Sequence, residues 1–273
     1  MKPYLHLFLL PLFLFGCGKQ TTSINQDSVI MSADAQRRSV ISATRAGTYV
    51  VFPDVPRVEM LEDDTYMRAL RATRPNGTAF AVRSDGIIFT NAHVVKATNF
   101  CTAPLHPEGS AREAGTSATY CLLATPEVTK VFRAKLIKMD EVNDIAALKI
   151  EQTGSDFTVL QIAGAGSFNE GAEIMTLGAP LGNANFTTFG FISNLKFKIM
   201  DEHGERKGAT KLQFNAAILP GNSGGALVST ATGKVVGQVV AVVGNERGTT
   251  FTQMSYANPA DKLQDFLSTI PRE

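Results

Sequence analysis

The sequence predicts an all-β domain, either a sandwich or a barrel, that ends in a single helix. From residue 77 to residue 256, the chain of 273 residues alternates short β-forming runs with glycine, asparagine, aspartate and proline. No long helical pattern separates these runs, and many short strands joined by turns are typical of an all-β fold. After them, Asn258 as a cap and Pro259 at the first helical position predict a terminal helix over residues 258–270.

Residues 1–16 are the predicted signal peptide of a lipoprotein. Lys2 precedes an apolar run over residues 5–15 that is too short to cross a membrane, which takes roughly 20 residues. The run ends in Leu-Phe-Gly-Cys, which resembles the lipobox where a bacterial lipoprotein is cleaved and its cysteine lipidated. An ordinary cleaved signal beside a chance cysteine is the alternative. We therefore expect an exported protein that Cys17 anchors to the membrane, facing the periplasm or the cell exterior.

Two stretches precede the β-rich region. Residues 17–45 are rich in serine, threonine, glutamine, asparagine and aspartate, and predict a tether with little fixed structure. Residues 46–273 form the predicted domain. Near its start, a partial helical stripe over residues 60–72 predicts a short packing helix.

The charge balance indicates which partners to exclude. The chain has 26 basic and 25 acidic residues, and loss of residues 1–16 removes Lys2 and leaves no net charge. A protein that binds a nucleic-acid backbone needs a basic face or stripe, so no nucleic-acid partner is predicted. The cysteines and histidines do not have the spacing of zinc ligands, so neither a metal nor another cofactor is predicted.

With only four histidines in the chain, a general base can be sought by elimination. His6 lies in the predicted signal peptide, and His106 and His203 lie in polar, turn-rich segments. His93 instead follows the apolar run at residues 87–89. Taken alone, a histidine among apolar residues is more often a packed core residue than a base. The neighbouring motifs therefore have to decide its role.

Two further segments supply an acid and a nucleophile. Asp144 opens the apolar run 145–150, where a carboxylate needs a hydrogen-bond donor such as a histidine N–H. An aspartate that merely caps a strand is the alternative. In residues 220–226, Gly221 allows a tight turn that converges backbone N–H groups near Oγ of Ser223. A plain glycine-rich turn or a phosphate loop is the alternative, although a Walker loop would need a lysine here.

The order of these residues along the chain indicates a catalytic triad. The order His93, Asp144, Ser223 occurs in known serine peptidases. The spacings of 51 and 79 residues place base and acid in one half of the β-structure and the nucleophile in the other. The site would then lie in the cleft between the two halves. The N–H groups of Gly221 and Ser223 form the predicted oxyanion hole.

These motifs resemble those of chymotrypsin-fold serine peptidases, most closely the HtrA/Deg type. The resemblance begins at residue 77 and extends to the terminal helix. It includes residues 84–95, 144–150 and 171–182, and it is densest in residues 215–227. It implies polypeptide substrates and two six-stranded β-barrels, at about residues 74–155 and 156–257. Proteins of the HtrA type usually carry a C-terminal PDZ domain, and this sequence reaches Glu273 without one.

The residues around the nucleophile predict the specificity. Trypsin-like enzymes place an acid six residues before the nucleophile, and here that position is Ala217, so cleavage after arginine or lysine is not expected. Glutamyl endopeptidases place a histidine in the strand after the serine, and here that strand is apolar. The predicted pocket residues are Ala217, Ile218, Leu219, Val240, Ala241 and Val242. We expect cleavage after small or medium aliphatic residues.

Two cysteines lie between the predicted base and acid. Cys101 and Cys121 bracket a loop of small and polar residues, and in an oxidising compartment we expect them to form a disulfide. Such a bridge would stabilise the fold by about 3 kcal/mol. Two separate thiols are the alternative.

Three functions therefore compete. The first is an envelope serine endopeptidase with a role in protein quality control. The second is a catalytically silent binding protein on the same fold. The third is a structural lipoprotein, which would not need the glycine-rich loop around Ser223.

Overall fold

The structure, a computed structural model, describes most of the chain beyond residue 25. The described residues are 26–52, 63–99, 120–151, 157–179, 185–198, 209–244 and 250–272. The predicted signal peptide, Cys17 and Cys101 lie outside these residues, so lipidation and the disulfide stay predictions. Cys121 is fully buried. In the described part of the chain, no helix is both long and apolar enough to cross a membrane.

The first barrel is built from six strands. They are β1 Thr48–Phe52, β2 Gly77–Arg83, β3 Ile87–Thr90, β4 Tyr120–Ala124, β5 Val131–Asp140 and β6 Ile145–Ile150. The strands pair in the order β1-β2-β3-β6-β5-β4 and close on themselves, since β1 also pairs with β4. β1 lies well before residue 74, where the sequence predicted this barrel to begin. The prediction missed it because a long connection separates β1 from β2.

The second barrel repeats the same design. Its strands are β7 Glu173–Gly178, β8 Phe186–Phe197, β9 Lys211–Phe214, β10 Ala226–Ser229, β11 Val235–Gly244 and β12 Thr250–Pro259. They close in the order β10-β11-β12-β9-β8-β7. All the ladders within both barrels are antiparallel. The predicted fold class, two six-stranded antiparallel barrels with a terminal helix, is therefore confirmed.

The described residues also contain four helices. They are α1 Gln26–Ala46, α2 Asp64–Arg71, α3 Ala92–Asn99 and α4 Ala260–Ser268. α2 lies within the range predicted for a packing helix, and its residues Met67 and Leu70 are buried. α3 begins directly after β3 and carries His93.

The helix α1 corrects the predicted tether over residues 26–45. Val40 and Thr44 are buried, and Ile41 packs against the core beside Val40. The Arg37 guanidinium lies 3.1 Å from the carboxylate of Glu173 in the second barrel. The prediction failed because most of the helix faces solvent, so its composition is as polar as that of a flexible segment.

An apolar layer between the two barrels joins them to the helices. Strands of both barrels contribute side chains to this layer, and α1 and α4 contribute others. Its larger members are Phe80, Ile87, Phe89, Ile145, Leu160, Met175, Leu263, Phe266 and Ile270. A fully buried side chain of this size contributes roughly 1.5–3 kcal/mol. This layer therefore provides much of the free energy that holds one barrel against the other.

The terminal helix α4 is confirmed, but its start differs from the prediction. The helix begins at Ala260, and Pro259 is the residue before it, with no side-chain cap. Asn258 belongs to β12, whose pairing with β11 extends to Pro259. Its amide is buried and bonded to Lys211 and Gln238, so it cannot cap the helix. Phe266 of α4 packs edge-on against Phe89, with ring centroids 5.5 Å apart.

Candidate active site

His93 and Asp144 are joined by two hydrogen bonds. The backbone N–H of His93 donates to Oδ1 of Asp144 at 2.9 Å, and the ring Nδ1 lies 2.8 Å from Oδ2. Because a carboxylate accepts, Nδ1 carries the proton of the neutral ring, and Nε2 is left as the acceptor. The His93 side chain is 49% exposed, whereas that of Asp144 is 20% exposed. This arrangement aims a basic nitrogen towards solvent from a fixed carboxylate.

The turn between β5 and β6 holds Asp144 in an unusual backbone conformation. Its φ angle is 60°, a left-handed value that aspartate tolerates better than most residues. The Asp144 carbonyl accepts a hydrogen bond from Nδ2 of Asn91 at 2.8 Å. Within the turn, Asp140 accepts from the backbone N–H and the amide of Asn143. Burial raises the pKa of Asp140, but these hydrogen bonds outweigh it and hold the pKa below its usual value.

Ser223 lies in a loop that docks onto both barrels. Thr78 of β2 donates its N–H to the Ser223 carbonyl at 2.8 Å and its Oγ1 to the Gly221 carbonyl at 2.7 Å. On the other side, the Gly224 N–H donates to the carbonyl of Val239 at 2.9 Å. Gly221 and Gly224 have φ angles of 109° and 85°, which favour glycine. The loop is thus held between the first barrel and β11.

The hydroxyl of Ser223 is engaged by backbone in this structure. Its Oγ donates to the carbonyl of Val240 at 3.2 Å. Among the hydrogen bonds of the described residues, none joins Ser223 Oγ to His93. Proton transfer to His93 therefore requires the hydroxyl to turn away from Val240, a rearrangement that substrate-free sites commonly need.

The six predicted pocket residues do not share one environment. Ala217 is exposed, and Leu219 and Val240 are half-buried. The carbonyl of Val240 is the acceptor of the Ser223 hydroxyl. Ile218 is only 3% exposed and packs inside the second barrel, so we assign it to the core and not to the pocket. The side chains of Ala241 and Val242 lie outside the described residues.

Sequence reasoning missed the residues that hold the site together. Thr90 donates its Oγ1 to the carbonyl of Thr78 at 2.8 Å, next to the Ser223 loop. Asn91 is fully buried, and its side-chain amide donates to the carbonyl of Asp144, which lies 53 positions further along the chain. The Thr-Asn pair before the Ala-His motif was visible in the sequence, but only the fold shows what it contacts. In the described part of the chain, no group of three or more possible ligands could hold a metal ion.

Comparisons with known proteins agree with this arrangement. Two closed barrels with the His93–Asp144 pair in one and the Ser223 loop in the other define the chymotrypsin-like class. Residues 77–237 match the model of the trypsin-like peptidase domain, and the chain belongs to this family.

The individual relatives are HtrA-type proteases, as the sequence motifs suggested. The chain is 31% identical over 192 residues to the bovine (Bos taurus) mitochondrial serine protease HTRA2, covering 70% of this chain and 35% of that protein. It is 31% identical over 236 residues to the magnetosome formation protease MamE of Magnetospirillum gryphiswaldense, covering 84% and 27%. A solved structure of the HtrA-type protease AlgW with a tripeptide has a TM-score of 0.60 at 21% identity, covering 86% and 63%. The chain spans 27% to 42% of the length of the curated relatives it matches.

The close docking of the Ser223 loop can be tested at Gly224. A Cβ there would collide with the Thr78 carbonyl oxygen and with Oγ1 of Thr90, and its φ angle is already unfavourable for alanine. We expect Gly224→Ala to lower the free energy of unfolding by at least about 2 kcal/mol. Urea denaturation measures this. The matched control is Gly164→Ala, because a Cβ at Gly164 meets nothing within 4 Å. Equal denaturation midpoints for both variants would refute the docking.

Proposed function

We propose that this protein is a serine endopeptidase of the cell envelope that cleaves polypeptides, including unfolded chains in protein quality control. The observation that carries the proposal is the two-point hydrogen bonding of His93 to Asp144 beside the loop of Ser223. This pairing selects the tautomer that a general base needs and leaves Nε2 to accept a proton. Membership of the trypsin-like peptidase family supports the same reading.

In the proposed reaction, Ser223 attacks the carbonyl carbon of the substrate. His93 takes the hydroxyl proton on Nε2, and Asp144 keeps the ring oriented and stabilises the imidazolium. His93 then gives the proton to the leaving amine, the peptide C–N bond breaks, and an acyl-enzyme forms. A water molecule attacks this ester with His93 again as the base. The acid product leaves, and Ser223 regains its proton.

The backbone of the nucleophile loop supports an oxyanion hole at Gly221 and Ser223. The N–H groups of these two residues donate to no acceptor among the described residues, whereas the N–H groups of Asn222, Gly224 and Gly225 are all bonded. Two available donors flanking a nucleophile are what a developing oxyanion needs. Removing one such donor typically costs about 3 kcal/mol in the transition state.

The second candidate is a catalytically silent binding protein on the same fold. One observation favours it, because the Ser223 hydroxyl donates to the Val240 carbonyl instead of to His93. The two functions differ in whether the serine can ever be acylated.

Labelling with a fluorophosphonate probe separates the two functions. We expect the wild type to label, Ser223→Ala to show no labelling, and Asp144→Asn to label about 10⁴-fold more slowly because the ring loses its orienting partner. The matched controls are Ser193→Ala and Asp261→Asn, since both side chains are exposed and away from the site. A wild type that never labels, even with peptide present, would favour the binding protein.

We propose that Ala217, Leu219 and Val240 form an apolar specificity pocket beside Ser223. A library of peptide substrates should show cleavage after valine, alanine and leucine. Ala217→Asp should raise cleavage after arginine and lysine by about 10- to 100-fold relative to aliphatic residues, through a new charge partner. Dominant cleavage by the wild type after arginine, lysine or glutamate would overturn the proposal. The quality-control role requires that unfolded casein is cleaved while a stably folded protein is not.

The envelope location rests on the leader sequence and its cysteine. We propose that Cys17 carries a lipid and that Cys101 and Cys121 form a disulfide. Intact-mass spectrometry without reduction, on protein made in a bacterial host with lipoprotein processing, tests both. We expect cleavage before Cys17, the added mass of acyl chains, and the loss of two hydrogens. A mass without acyl chains would contradict lipidation of Cys17. Two thiols that react with an alkylating reagent without reduction would contradict the disulfide.

A further inference from the structure

Beneath the triad, buried polar side chains form a closed ring across the two barrels. Nδ2 of Asn91 and Nδ2 of Asn258 both donate to Oε1 of Gln238, at 3.2 and 3.1 Å. The ammonium of Lys211 donates to Oδ1 of Asn258 at 2.6 Å and to the backbone carbonyl of Asn143 at 3.1 Å. Asn91, Gln238 and Asn258 are at most 1% exposed, and Lys211 is 6% exposed.

The ring closes on the acid of the triad. Lys211 donates to the carbonyl of Asn143, and Asn91 donates to the carbonyl of Asp144, so two successive peptide groups are each held by a side chain. Because Asp144 has a left-handed backbone, it needs such support to stay in place. One of the two supports comes from the second barrel, since Lys211 is the first residue of β9.

Lys211 is a charged group in a buried position, and its surroundings match that charge. Burial holds its pKa below the usual value, and the negative charges of Asp144 and Asp140 offset only part of that effect. Both of its bonded partners are carbonyl-type oxygens, which accept from an ammonium. A buried lysine without such partners would be strongly destabilising. The position is therefore built for a cation next to the triad acid.

We propose that Lys211 is a positioning residue of the triad that also sets the pH at which His93 becomes a competent base. It holds the peptide before Asp144, and its positive charge offsets part of the carboxylate charge. This inference rests on the proposed peptidase function. Lys211 acts through Asp144 and does not touch substrate.

The sign of the effect follows from the charges. His93 works as a base only when neutral, and the Asp144 carboxylate stabilises its imidazolium form. The Lys211 ammonium weakens that stabilisation, because it places positive charge near the same pair. Removing the ammonium therefore favours the imidazolium, and the acid limb of acylation moves to higher pH. We expect a move of about 0.5 pH unit or more from the loss of this one charge.

The experiment compares the full-length wild-type protein with three full-length variants at Lys211. Lys211→Met removes the charge and the donors, Lys211→Gln removes the charge but keeps a donor, and Lys211→Arg keeps the charge. Lys234→Met, which removes an exposed lysine, is the matched control. The readouts are the pH dependence of fluorophosphonate acylation and the pH midpoint of the His93 ring signal by NMR. Urea denaturation checks that each variant is folded, and Lys211→Gln serves if Lys211→Met does not fold.

Higher pH midpoints of acylation and of the His93 signal in Lys211→Met and Lys211→Gln would support the proposal, provided that Lys211→Arg and Lys234→Met keep the wild-type pH midpoints. Slower acylation with an unchanged midpoint in Lys211→Gln would overturn it and reduce Lys211 to a structural part. The NMR midpoint distinguishes a failure of the Lys211 proposal from a failure of the peptidase proposal. If it moves as expected while the wild type never acylates, the peptidase proposal fails and the electrostatic role of Lys211 stands.

Discussion

The site depends on the contact by which the Ser223 loop of the second barrel docks against β2 of the first. The proposed base and acid, His93 and Asp144, belong to the first barrel and the proposed nucleophile, Ser223, to the second, so the position of one barrel on the other decides whether they meet. Two hydrogen bonds from Thr78 to the loop fix that position at the nucleophile itself. Thr90 holds the Thr78 carbonyl in turn, and the absence of a side chain at Gly224 lets the backbones approach.

Apolar and polar contacts between the barrels have different effects on their arrangement. The apolar layer that includes Phe89 and Phe266 supplies burial, which is strong but not directional. The ring through Lys211 and Gln238 supplies direction, because a hydrogen bond weakens steeply when its donor and acceptor move out of line. The apolar layer thus holds the barrels together, and the polar contacts fix the position of one barrel relative to the other.

The parts that the sequence predicted are those whose evidence is local. The strands, the terminal helix and the three triad candidates each depend on a short motif, and the fold class followed from many such runs. The ring could not be predicted, since Lys211 and Asn143 are 68 positions apart and no pattern links them. Asn258 looked like a helix cap because the sequence does not show that β12 continues to Pro259. Ile218 looked like a pocket residue because only the closed barrel shows which side chains point inward.

The central claim is that Ser223 attacks substrate while Gly221 and Ser223 hold the oxyanion. A crystal structure with a peptide boronic acid bearing an aliphatic side chain next to the boron tests this most directly. The account predicts a covalent bond from Ser223 Oγ to boron and one boron-bound oxygen about 2.7–3.1 Å from both N–H groups. The Ser223 hydroxyl would then have left the Val240 carbonyl. A boronate bound away from Ser223, or one whose oxygens face neither N–H group, would contradict the account.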